Sequence, residues 1–236
     1  MNRRYAVTAA LLALIPLALC AALAALYLEL FVGFETEPMI LLPSDAEVSS
    51  IMSGYAYAQA FVDEWQPGLH LTAVYARYRE DGGGRLVTTG DITYLFAGTR
   101  EDWLAGIASL LRVHVLGATV VLDADAGMIS YFRPSHTDRQ LWGHMHPDEW
   151  GVSEQDLLQV AESYGGSDFR RVHPDAEIAV EVAGHHMGDE WLQTYFSDES
   201  KLWILIELHS RQVSRAQGDA RDLFPSSWRT VGSISR

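Results

Sequence analysis

Cysteine is almost missing from this chain: Cys20 is the only one among 236 residues. Whatever follows it can form no internal disulfide, so apolar burial must hold that part together. No thiol nucleophile or thiolate ligand is available there either. Lysine is down to Lys201, and 17 basic residues face 31 acidic ones, a net charge of −14. Such a field repels phosphate backbones, so nucleic acid is not an expected partner. Catalytic signatures are also absent. There is no Gly-x-Ser-x-Gly elbow, and Asp81-Gly82-Gly83-Gly84 lacks the Lys and Ser/Thr of a phosphate loop. Asp123-x-Asp125-x-Gly127 lacks the other acidic ligands of a calcium loop. Both stretches read as hairpin turns. The pairs Asp63-Glu64, Glu101-Asp102, Asp148-Glu149 and Asp189-Glu190 each precede a tryptophan, the pattern of a solvated acid beside a packed ring. An enzyme is not expected, and no cofactor is implied.

What is present begins at the N-terminus. Arg3 and Arg4 precede residues 5–28, which carry no charged side chain. As a helix, residues 6–28 rise about 1.5 Å each, enough for roughly 30 Å of hydrocarbon. With the arginines on one side and Glu29, Glu35 and Glu37 on the other, the expectation is a single-pass helix in the cell membrane, N-terminus cytoplasmic and C-terminal domain extracytoplasmic. Ala22-Leu23-Ala24 offers a rival, a cleaved signal, although apolar residues continue through Phe34. Leu19 before Cys20 is a poor match to a lipidation signal, which leaves Cys20 as an apolar membrane residue.

The remaining chain holds seven tryptophans, each ring able to bury roughly 150–250 Å², so a folded core is expected. Val48, Ile51, Met52, Tyr55, Gln59 and Val62 recur at steps of three and four, the face of an amphipathic helix that ends near Pro67-Gly68. Leu69, Leu71, Ala73 and Tyr75 alternate as in a half-buried strand, followed by a hairpin and further strands to residue 132. Residues 103–110 read as a short helix or an insertion. Ser153 with Asp156 forms a capping pair for a second helix, stopped by Gly165-Gly166. Three strands follow, and residues 215–236 read as a flexible tail. The order helix, strand, strand, strand occurs twice. Pro67-Gly68-Leu69-His70-Leu71 compares with Pro174-Asp175-Ala176-Glu177-Ile178, Phe96 with Phe196, and residues 120–125 with 204–209, which reads as a degenerate duplication.

Val121-Leu122-Asp123-Ala124-Asp125-Ala126-Gly127-Met128-Ile129, behind a helix and a proline-initiated strand, resembles the PepSY and PepSY-like modules of exported bacterial proteins. Ala161-Glu162-Ser163-Tyr164-Gly165-Gly166 followed by Pro174-Asp175-Ala176 and Trp191 looks like the same unit, with Arg211 in the place of Gly127, so that its last turn should be built differently. The resemblance, over residues 44–214, implies an α+β fold of two helix-on-antiparallel-sheet units (44–132 and 153–214); with the reading of the rest of the chain, the expected order is a transmembrane anchor (1–34), a linker (35–43), the first unit, a His/Trp-rich loop (133–152), the second unit and the tail. It implies no catalytic residue. The expected function is that of a non-catalytic extracytoplasmic binding module, tethered through residues 6–28, acting as an accessory, inhibitory or sensory protein on another membrane or envelope protein.

Two loops of like composition carry the remaining chemistry: His144-Met145-His146-Pro147-Asp148-Glu149-Trp150 and His185-His186-Met187-Gly188-Asp189-Glu190-Trp191. Imidazole with thioether and carboxylate suits copper or zinc. The alternative function is therefore a copper or zinc binding protein with His144, His146, His185 and His186 as ligands, provided the fold brings the loops together. Tyr55, Tyr57, Trp142 and Trp150 are candidate partner-binding residues, because Tyr and Trp are enriched at interfaces.

Overall fold

The computed structural model describes residues 3–27, 39–43, 46, 48–65, 67–99, 115–123, 125–132, 143–185 and 188–234. Four helices are needed here: α1 (Arg3–Tyr27), α2 (Ile51–Trp65), α3 (Glu154–Ala161) and α4 (Ser167–Val172). The strands are β1 (Met39–Leu41), β2 (His70–Glu80), β3 (Leu86–Thr99), β4 (Val115–Asp123), β5 (Met128–Phe132), β6 (Glu177–His185), β7 (Gly188–Phe196), β8 (Ser200–Glu207), β9 (Gln212–Asp219) and β10 (Arg229–Ser233). All ten lie in one sheet, in the order β1-β5-β4-β3-β2-β6-β7-β8-β9-β10, and every pair is antiparallel.

Two expectations are corrected by this architecture. The first is the fold class: in place of a transmembrane helix and two helix-on-sheet units, the described residues form one large, mostly β structure with few helices. The reason is the central seam. β2 pairs with β6 from Ala73↔Ala183 to Tyr78↔Ile178, so the strands that would have been two edges satisfy each other's backbone groups. From that seam the strand order runs outward in both directions. Residues 215–236, read as a tail, include the end of β9 and all of β10. The second correction concerns the membrane. Among the described residues no helix is long and apolar enough to cross one. The single-pass anchor and the extracytoplasmic placement built on it are withdrawn.

One face of the sheet is covered. β7 shows strict period-two burial, with Asp189, Trp191, Gln193 and Tyr195 turned inward. α2 contributes Ile51, Ala58, Phe61 and Val62 to the core, and α3 and α4 contribute Leu157, Leu158, Ala161 and Phe169 to the same cluster. Both helical segments therefore lie on one face, and each fully buried large side chain there, such as Trp191 or Phe96, stabilises by about 1.5–3 kcal/mol.

The helix ends follow from local chemistry. Ser153 caps α3: its Oγ accepts from the Asp156 N–H at 3.1 Å, and its own N–H donates to the Asp156 carboxylate. Glu154, 5 % exposed, reaches across to α2, where Ile51 N–H donates to its Oε1 at 3.2 Å and Met52 N–H to its Oε2 at 3.0 Å. One carboxylate thus fills orphan donors at the start of another helix. The Tyr78 hydroxyl also donates to it, at 2.6 Å. Burial lifts the Glu154 carboxyl above its usual value, against those hydrogen bonds, and burial with the nearby carboxylate pushes Tyr78 well up. Gly165 takes φ +131°, outside the helical region, so the helical run entered at Glu154 breaks at Gly165-Gly166 as expected and a separate short helix, α4, starts at Ser167.

Candidate functional site

The seam between β2 and β6 is split at one end. Beyond Ala73↔Ala183 the two strands no longer pair, because residues 143–145 thread between them. Gly143 N–H donates to Gly184 O at 2.8 Å, and Met145 N–H donates to Leu71 O at 2.8 Å. The passage is narrow. A Cβ on Gly184 would stand 2.5 Å from Gly143 O, and one on Gly143 would stand 2.7 Å from His185 O. Only glycine fits at this crossing.

Next to the split lies a cavity of about 550 Å³ whose lining includes His144, His146, His185, His209, Glu149 and Asp189. Asp189, 8 % exposed, organises one wall. Its Oδ2 accepts from Trp150 Nε1 at 2.6 Å and from His146 N–H at 3.1 Å, and its carbonyl accepts from Leu208 N–H at 2.9 Å. The Trp150 ring meets Trp191 edge to face, centroids 6.4 Å apart. At the mouth, His144 stacks on His70, with centroids 4.2 Å apart and planes 26° apart. His146 stands 6.5 Å from His144. Partial burial, together with the neighbouring His70 and His146 rings, lowers the His144 pKa. His185 pairs with Glu190 at 3.4 Å.

The two histidine loops, separate in sequence, therefore meet: His144, His146 and His185 line one cavity. His186 lies outside the described residues. Met145 is 4 % exposed and belongs to the core, so its thioether is not offered to the cavity. Among the described residues no three His, Cys, Asp or Glu side chains stand ready to hold a metal ion. The aromatic candidates fall elsewhere. Trp150 is buried and bonded to Asp189. Tyr55 and Tyr57 are half-buried on α2 against the core, with Tyr55 Oη donating to Gln59 at 3.1 Å. Trp142 is outside the described residues.

Sequence reasoning missed His70 and His209. His70 stands alone at the start of β2 and reaches His144 only through the fold, and His209 stands alone in the turn after β8 yet lines the cavity. Chemically, the lining offers imidazole, carboxylate and indole. Among the described residues it carries no hydroxyl, thiol or amine nucleophile.

Comparison of the chain with family models, with curated proteins and with solved structures finds no match. The PepSY resemblance thus rests on its short motifs alone.

Proposed function

We propose that this chain is a non-catalytic binding protein that takes its ligand in the histidine-lined cavity at the split seam. The observation that carries this reading is the convergence of four imidazoles, from residues 144, 146, 185 and 209, with His70 stacked on His144. Two details support binding over turnover. Among the described residues the lining has no hydroxyl, thiol or amine nucleophile. The one well-buried carboxylate, Asp189, is already occupied by two donors that hold the wall in place, which pre-organises a site and leaves little freedom for proton transfer.

The test follows the histidine ring signals of the full chain by NMR during titration with three probes: zinc chloride, sodium phosphate and a neutral tripeptide. At least one should shift the His144, His146 and His185 signals together while leaving His173, which sits on Ser200 at 3.2 Å, unchanged. If no probe moves these signals, or if all histidines move alike, the reading fails.

A further inference from the structure

We propose that the far end of the β2–β6 seam carries a second ligand site, an arginine-lined cavity that takes a small organic polyanion bearing phosphate or carboxylate groups. It lies at the opposite end of the seam from the histidine cavity and does not depend on the reading given to that cavity.

The seam creates the space. β2 and β6 stop pairing after Tyr78↔Ile178, since the chain enters β6 from α4 by way of Pro174 while β2 runs on to Glu80. The gap between them is a cavity of about 760 Å³, within the usual range for small-molecule sites. Arg77 and Arg79, on either side of the buried Tyr78, line it from β2, and Arg170 and Arg171 line it from α4. Four of the chain's 17 basic residues are thus gathered around one space, in a molecule of net charge −14. The acids in the lining are Glu80 and Glu177, which leaves a local surplus of positive charge.

The four guanidinium groups are held differently. Arg170 is a fixed base: it pairs with Glu80 and, at 2.6 Å, with Glu162, whose other oxygen accepts from the Tyr195 hydroxyl at 2.7 Å. The other three are free to turn toward a ligand. Arg77 meets Glu177 only at 3.7 Å and Arg171 meets Asp168 at 2.8 Å, all four side chains being exposed, and among the described residues no acid pairs with Arg79. Exposed pairs of this kind contribute little. They yield to an anion that engages several guanidinium groups at once, each planar fork matching a phosphate or carboxylate. The volume of the cavity and the negative field of the rest of the molecule favour a compact anion over a nucleic-acid strand.

The experiment is a calorimetric titration of the full chain with sodium pyrophosphate and with sodium citrate at constant ionic strength. At least one should bind saturably at one equivalent, with an affinity that falls as sodium chloride is raised. Arg79→Gln and Arg171→Gln, both at exposed positions where folding does not need the charge, should each weaken that binding by at least about fivefold; the remote Arg221→Gln should leave it unchanged. Binding of pyrophosphate alone marks a phosphate-bearing ligand and of citrate alone a carboxylate-bearing one, and either supports the site. Saturable binding by neither probe overturns the proposal. So does an Arg79 or Arg171 variant that binds within about twofold of the wild type. Should the ring signals of His144, His146 and His185 follow the anion while those variants bind normally, the arginine site fails and the histidine-cavity reading stands.

Discussion

Gly54 sits inside α2, where replacing glycine by alanine ordinarily stabilises by about 1 kcal/mol. Here the opposite is expected. A Cβ at this position would run into the hydroxyl of Tyr94, a residue with no exposed surface, whose Oη donates to the Ile51 carbonyl at 2.7 Å. Forcing that ring aside costs about 1–3 kcal/mol of overpacking and about 1 kcal/mol for the lost hydrogen bond. Set against the helix propensity gained, Gly54→Ala should lose about 1–3 kcal/mol. For a chain of this length each kcal/mol moves the melting temperature by about 2–4 °C. Tyr94→Phe removes the clashing atom. The next contacts, the ring Cζ and Val48 Cγ1, lie at 3.3 Å and need to give only slightly. Tyr94→Phe alone should cost about 1 kcal/mol. In the double variant that loss is offset by the regained propensity, so the two substitutions should be coupled by about 2–4 kcal/mol. Urea unfolding of the four proteins measures this directly. A Gly54→Ala protein as stable as the wild type, or additive losses in the double variant, would refute the argument.

Three further outcomes are expected. Arg211 adopts φ 59°, the left-handed conformation that Gly127 adopts at φ 63°; Arg211→Gly should therefore stabilise by about 0.5–1 kcal/mol, and a fall in the urea midpoint would count against strain there. Glu154 has a folded-state pKa raised above its usual 4.5, so the folded state binds this proton more tightly than the unfolded chain. The stabilisation it gives is fully present below 4.5 and is lost as pH rises through the folded value. Wild-type stability should consequently fall relative to Glu154→Gln over that rise, and a difference that is flat or grows with pH would sink the assignment. Gly184→Ala places a Cβ against the Gly143 carbonyl with backbone on both sides; it should cost about 3 kcal/mol and speed hydrogen exchange at the Gly143 and Met145 amides, whereas unchanged protection there would show that the crossing tolerates a side chain.

Local chemistry was the legible part of this chain. The Ser153–Asp156 capping pair, the apolar face of α2 and the turn at Asp81, whose Oδ1 accepts from the Gly83 and Arg85 amides at 2.9 Å, depend on residues a few positions apart. The union of the halves into one sheet was not legible, because Ala73 and Ala183 meet through backbone groups that every residue carries. The end of β9 and all of β10 were read as tail because both are polar: β10 is the edge strand, and of β9 only Val213 and Ala216 are buried. The turn at Arg211 was expected to differ from that at Gly127, yet the two share a conformation, since sterics make arginine unfavourable there without forbidding it. At the site, the matching compositions of the two histidine loops were visible. His70 was not, having no histidine near it in sequence and reaching His144 only through the fold.

The thread of residues 143–145 through the seam also sets an order of events. β2 and β6 belong to opposite halves of the chain, and their pairing closes a loop of about a hundred residues, a slow step for an antiparallel sheet. The stretch that lies between their split ends comes from the connection joining the halves. Pairing can start at Tyr78↔Ile178 without it, but the last register positions cannot settle until the connection has slid into its channel between two glycines. Docking of this short segment is thus placed late on the folding route, and the mouth of the cavity is the last part of the sheet to acquire its native shape.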